Sequence, residues 1–228
     1  MRRTLLFAAA ALAAFAVRAA PVEDTLAQRL LPCSACHGKQ GRAAPDGYYP
    51  RIAGKPAGYL YNQLLNFRDG RRRYGPMVYL VDTLSDDYLH EIAGHFAALE
   101  LPYAAPAPTT EPAATLRRGE QLATRGDPAR ELPPCTACHG SALTGVTPAI
   151  PGLLGLPRDY LTGQLGAWVN GQRRAYAPDC MADVARKLKP DEVSAVSAWL
   201  ASQPVPVDTK AVARLPEPLP APCGSVPK

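Results

Sequence analysis

At 228 residues the chain has room for one large domain or two small ones. A formal charge of +5 does not by itself argue for a nucleic-acid binder, and no basic stretch interleaved with aromatics supports one. Alanine inflates the 47% hydrophobic fraction and aromatics are only 7%, so two small domains would lack bulky core side chains unless a large apolar group filled each.

The chain opens on a targeting pattern. Arg2 and Arg3 precede an apolar run, Thr4 to Val17, that is too short to span a bilayer comfortably. Val17-Arg18-Ala19 offers small residues for cleavage after Ala19, with Ala14-Phe15-Ala16 as a second choice. The expectation is a signal peptide over 1–19; the alternative is an uncleaved anchor. Cleavage removes Arg2, Arg3 and Arg18 and no acid, which takes +5 to +2.

A helix is expected from Val22 to Leu30. It leads into Cys33-Ser34-Ala35-Cys36-His37, a pentapeptide that returns as Cys135-Thr136-Ala137-Cys138-His139. Cys-x-x-Cys-His is the attachment signature of c-type haem. The two thiols add to two vinyl groups on one porphyrin edge, and the following His lies under the ring to bind iron. Zinc would want more thiolates or a distant His pair, and a redox dithiol does not need a following His twice over. Thioether attachment takes place outside the bacterial cytoplasm, in keeping with the leader and with cysteine in an oxidising compartment.

The repeat extends beyond the pentapeptides. Pro50-x-x-x-Gly54-x-Pro56 is matched by Pro151-x-x-x-Gly155-x-Pro157. A short amphipathic helix carries Tyr59-Leu60, Gln63-Leu64 and Phe67 up to Gly70; its counterpart carries Tyr160-Leu161, Gln164-Leu165 and Trp168 up to Gly171. A second helix starts at Ser85 as N-cap, with Asp86 and Asp87 in its first turn and Leu89, Ile92 and Phe96 as its buried stripe. The matching helix starts at Pro190, with Asp191 and Glu192, and repeats the stripe as Val193, Val196 and Leu200. Residue numbers differ by 102 at the cysteines and by 104 at Leu84 and Leu188, as duplication predicts. Between the halves lies a Pro/Ala-rich linker over 102–113, followed by a helix over Thr115 to Thr124. The tail over 204–228 is Pro-rich and expected to be irregular. No strand pattern is convincing anywhere.

His37 and His139 would each fill one axial position of an iron. The chain has three methionines; Met1 goes with the leader, which leaves Met77 and Met181, one per half, each seven residues before its leucine. Their equivalent loop positions favour thioether ligation over soft packing. His90 and His95 compete, but they have no counterparts in the second half and read as ordinary helix residues. His/Met ligation closes both axial positions, which argues for electron transfer and against catalysis. Each proximal His should donate its other ring N–H to an acceptor. The carbonyls of Pro50 and Pro151, 13 and 12 residues beyond, are the candidates, unless these prolines only shape the loop.

These motifs together resemble the di-haem cytochrome c4 family, and the haem subunit of flavocytochrome c is similar. The resemblance covers Ala27 to Gln203. It implies an all-α fold of two tandem class I cytochrome c domains, pseudo-twofold related over 20–101 and 114–203, with the haem propionate edges close together. It implies two covalently bound haem c groups on Cys33, Cys36, Cys135 and Cys138, with His37, Met77, His139 and Met181 as iron ligands and Pro50 and Pro151 orienting the histidines. It implies a periplasmic carrier of single electrons between redox partner proteins: a membrane-associated oxidase or reductase, or a periplasmic dehydrogenase. Peripheral membrane association is compatible with this. A non-catalytic subunit of a dehydrogenase complex is the alternative, and a di-haem peroxidase-type enzyme stands third. Cys180 and Cys223 are outside the pattern; a disulfide tying the tail to the second domain is the expectation, two free thiols the alternative. Arg71, Arg72, Arg73, Arg173 and Arg174 would neutralise propionates, dock an acidic partner, or form solvated helix ends.

Overall fold

The computed structural model describes residues 25–43, 47–106 and 108–227. The leader over 1–19, and residues 22–24 of the first expected helix, lie outside them. In the first half the chain runs through α1 (Leu26–Arg29), α2 (Leu31–His37), α3 (Ala57–Arg68), α4 (Gly75–Val81) and α5 (Asp86–Ala97). The second half follows as α6 (Ala113–Arg125), α7 (Thr136–His139), β1 (Gly145–Val146), β2 (Ile150–Pro151), α8 (Arg158–Val169), α9 (Cys180–Lys187) and α10 (Pro190–Ser202). No described helix is long and apolar enough to cross a membrane.

Local chemistry explains these boundaries. Ser85 caps α5 by accepting from the Tyr88 N–H, with Asp86 and Asp87 facing the positive end of the helix. Leu89, Ile92 and Phe96 then recur at three and four residues and are buried. In α3 the buried set is Leu60, Leu65 and Phe67, while Leu64 is only partly buried. α3 packs on α5 to make the first core. In the second half α10 packs across α6 and α8, burying Leu122, Leu161, Val196 and Leu200 together.

The strand expectation needs correction. β1 and β2 pair antiparallel, with Gly145 opposite Pro151 and Val146 opposite Ile150. Two residues per strand are too few for alternation to register in a sequence. Gly145 sits at φ +97°, and a Cβ there would come within 2.5 Å of the Ile150 carbonyl oxygen, so the hairpin requires glycine at that point. The tail is irregular but anchored. Val212 bridges in parallel to Val146, Ser225 accepts from the Asn62 amide of α3 at 2.9 Å, and Cys223 is disulfide-bonded to Cys180.

One buried carboxylate ties α10 to the approach of the second pentapeptide. Glu192, 3% exposed, accepts from Arg130 through both oxygens (2.8 and 2.9 Å), from Arg118, and from the Lys189 N–H at 2.9 Å. Burial pushes this carboxyl up, but the Arg130 hydrogen bonds, then the Lys189 N–H and Arg118, outweigh it and hold the group at about 2. A pKa depressed on folding adds stability that is complete above the ordinary glutamate value and is lost as pH falls toward 2. Acid titration of the holoprotein should therefore show a loss on the order of 3 kcal/mol between the two values. Glu192→Gln should flatten that portion of the curve; an unchanged acid limb would exclude the network as its source.

Candidate haem-binding site

Each pentapeptide folds as one helical turn. α2 carries Cys33, Cys36 and His37, and Cys135 caps α7, which carries Cys138 and His139. Residues three apart on a helix share a face, so each thiol pair lines up and the His falls on the next position round. His37 and His139 are 8% and 6% exposed. Nδ1 of His37 lies 2.9 Å from the Pro50 carbonyl oxygen, and Nδ1 of His139 lies 2.7 Å from that of Pro151. A carbonyl can only accept, so Nδ1 carries the proton and Nε2 keeps its lone pair free in both rings. Burial lowers both imidazoles; the carbonyls oppose it, and a cation lowers each further, Arg72 for His37 and Lys55 for His139. β2 exists in part to present Pro151, whereas the Pro50 loop has no strand.

Cys33, Cys36, Cys135 and Cys138 are unpaired thiols. Burial raises Cys33 and Cys138 and pushes Cys135 up to about 12. No cluster of three or more metal-binding side chains exists among the described residues. These thiols instead border apolar space. One cavity of about 410 Å³ is lined by Cys33, His37 and Met77 of the first half and by Cys135, Cys138, His139 and Met181 of the second. A second, of about 420 Å³, is lined by Cys36, His37 and Met77.

The methionines lie on helices rather than in the loops expected. Met77 is in the first turn of α4, which Gly75 and Pro76 initiate, and Met181 is in the first turn of α9, capped by Asp179 accepting from Ala182 N–H. Cys180, paired with Cys223, anchors the turn that holds Met181. His90 stands edge-on to Tyr61 and His95 to Phe96, and neither lines either cavity.

Two of the arginines form the join between the halves. Arg72 and Arg173 are paired as an antiparallel bridge. Arg72 donates to Gln63 at 3.0 Å and across to Gln164 at 2.6 Å; Arg173 donates to Gln164 at 2.8 Å and across to Gln63 at 3.0 Å. Each guanidinium lies over an aromatic ring of its own half, Phe67 at 4.5 Å and Trp168 at 3.8 Å. This reciprocity makes the halves pseudo-twofold related. The signal for it in the sequence is the glutamine that recurs in both helices, Gln63 before Leu64 and Gln164 before Leu165. Both arginines line both cavities, and their partners among the described residues are amides, phenols and rings. Two like charges with no carboxylate to offset them suit an acidic group between them, so the residues present fit a haem with ionised propionates.

A helical module repeated about such a join, with a Cys-x-x-Cys thiol pair bordering apolar space and one free imidazole nitrogen in each copy, defines a tandem c-type cytochrome. Comparison with known proteins narrows this. No protein-family model matches the chain. It is 38% identical over 76% of its length to the thiosulfate dehydrogenase electron acceptor of Thiomonas intermedia, covering 79% of that protein. It is 31% identical over 74% of its length to cytochrome c4 of Pseudomonas aeruginosa, covering 82% of that protein. The solved thiosulfate dehydrogenase TsdBA of Marichromatium purpuratum superposes with a TM-score of 0.68 at 34% identity over 76% of this chain, which spans 36% of that longer one. Solved cytochrome c4 structures share the fold. The chain belongs to the di-haem cytochrome c4 family. It is mostly helical, with a small two-stranded sheet, in two class I cytochrome c domains, and it is an electron carrier or electron-transfer subunit rather than an enzyme. The family implies covalently bound haem c.

Proposed function

We propose that the chain is exported to the periplasm, loses residues 1–19, and carries single electrons through two haem c groups, one in each module of residues 20–101 and 114–203. The modules are joined by the linker over 102–113 and followed by the tail over 204–228. The observation that carries this reading is the duplicated histidine–proline hydrogen bond beside a cavity reached by the one methionine of each half. Haem, when bound, supplies an iron that stores one electron per centre with no other bond made or broken. Cys33, Cys36, Cys135 and Cys138 would hold the two groups; His37 and His139 would ligate iron through Nε2, their rings set by Pro50 and Pro151; Met77 and Met181 would each supply a thioether ligand. Arg72 and Arg173 offset propionate charge at the join. The cavity lining is predominantly apolar, and an apolar surround leaves little solvent to reorganise when charge arrives.

A donor of the dehydrogenase type is favoured because a relative is a thiosulfate dehydrogenase electron acceptor; onward transfer goes to a membrane-associated oxidase or reductase. Reductive titration of the purified holoprotein should take up two electrons per chain, stay low-spin throughout and show no peroxide turnover. A high-spin ferric centre that turns over peroxide would overturn the carrier reading.

A further inference from the structure

The proximal loops of the two halves align from Pro50 to Pro56 and from Pro151 to Pro157. The repeat keeps the prolines and the glycine but not the charge. Arg51 and Lys55 of the first loop stand opposite Gly152 and Leu156 of the second. Both cations are buried, each 4% exposed. Arg51 serves its own half: it donates to Ala53, Leu101 and Pro102 carbonyls and lies over the Tyr103 ring, which fixes the start of the linker. Lys55 crosses the join. Its Nζ donates to the Gly152 carbonyl at 2.9 Å, and Gly152 follows Pro151, whose own carbonyl accepts from His139. Lys55, Pro151 and His139 line the same cavity. Leu156 returns no charge to the His37 loop.

We propose that Lys55 is the residue that makes the two centres unequal: its ammonium holds the Pro151–Gly152 turn and raises the reduction potential at the His139 site. The inference rests on the carrier reading above. One electron from the donor takes ferric iron to ferrous there, and no bond forms or breaks. A fixed positive charge in a low-dielectric site disfavours the more positive ferric state, so it favours that electron's arrival. Arg72 and Arg173 line both cavities and so belong to both centres, whereas Lys55 has no counterpart in the second loop, where Leu156 stands.

Lys55→Met removes the charge and the hydrogen bond, Lys55→Gln removes only the charge, and Lys55→Arg keeps a charge. Each is made as holoprotein in a Met77→Ala background, where the second centre keeps its own ligands, and in a Met181→Ala background, where the first keeps its own, and each shift is read against that background with Lys55 intact. Burial, then the Arg51 guanidinium, hold the Lys55 ammonium down to about 7, so potentials are read at pH 6, where it is charged. Lys55→Met and Lys55→Gln should each cut the equilibrium constant for reducing the second centre about tenfold, ~59 mV for one electron. The first centre should move less than half as far, and Lys55→Arg should retain the parent potential. Equal shifts at both centres, no shift at the second, or a Gln variant that keeps the parent potential would overturn the proposal. If Lys55→Met fails to assemble, the Gln and Arg pair still separates charge from hydrogen bonding. A parent protein without two redox centres sinks the carrier reading itself, and this inference with it.

Discussion

Met181→Ala is expected to remove half of the near-infrared sulfur-to-iron charge-transfer band of the ferric holoprotein, and Met77→Ala the other half. Each half of the chain places one thioether on its cavity, with no second methionine beside it to take over. Thioether sulfur favours ferrous iron, so the affected centre should also become at least tenfold harder to reduce, ~59 mV or more. Both methionines are only partly buried, so truncation should cost no more than ~2 kcal/mol, the low end for such a change, and leave the fold intact. Met181 gives the sharper test because Cys180 and Cys223 fix its turn independently of any ligand. If the full band persists in either variant, the sulfur is not the axial ligand there.

Some of this molecule could be read along the chain and some could not, and the division follows sequence distance. Ser85 and its two aspartates, or Pro190 with Asp191 and Glu192, mark a helix start because capping acts within one turn. The duplication was legible because both halves retain the same short-range spacings. The expected disulfide followed from an even pair of cysteines outside the haem motifs, and the structure forms it between Cys180 and Cys223. The join was not legible. Arg72 and Gln164 are 92 residues apart, and an arginine beside a helix-ending glycine looks solvated until its partner is known. Glu192 looked like a first-turn acid favoured by the helix dipole, yet its partners Arg118 and Arg130 come from the other side of the module. The methionine helices were missed because Gly-Pro at the start of α4 reads as a turn, and α9 follows Ala-Pro-Asp. Lys55 gave no signal, since a single lysine in a Gly-Lys-Pro loop is usually exposed.

A large stability effect should come from a single added methyl at Gly119. A Cβ at that position in α6 would lie 2.2 Å from the Ala195 carbonyl oxygen and 2.7 Å from both its carbonyl carbon and the Trp199 Cβ. Two of these atoms are backbone of α10, so no rotamer change relieves the contact; the helices must part. Two effects compete. Alanine gains about 1 kcal/mol over glycine within a helix, while forced overpacking costs about 1–3 kcal/mol and more when backbone must move. The second effect should win, and Gly119→Ala should destabilise the second module by about 2 kcal/mol or more. Gly94 in α5 supplies the internal control, because a Cβ there meets nothing within 4 Å. With no clash to oppose propensity, Gly94→Ala should stabilise by roughly 0.5–1 kcal/mol. The damage from Gly119→Ala should also be local. α10 carries Glu192, which holds Arg130 in the segment leading to Cys135, so parting α10 from α6 loosens the turn that presents His139. On heating, the spectrum of the second centre should then change before that of the first. A Gly119→Ala protein as stable as its parent would mean that the α6–α10 crossing is looser than these distances make it.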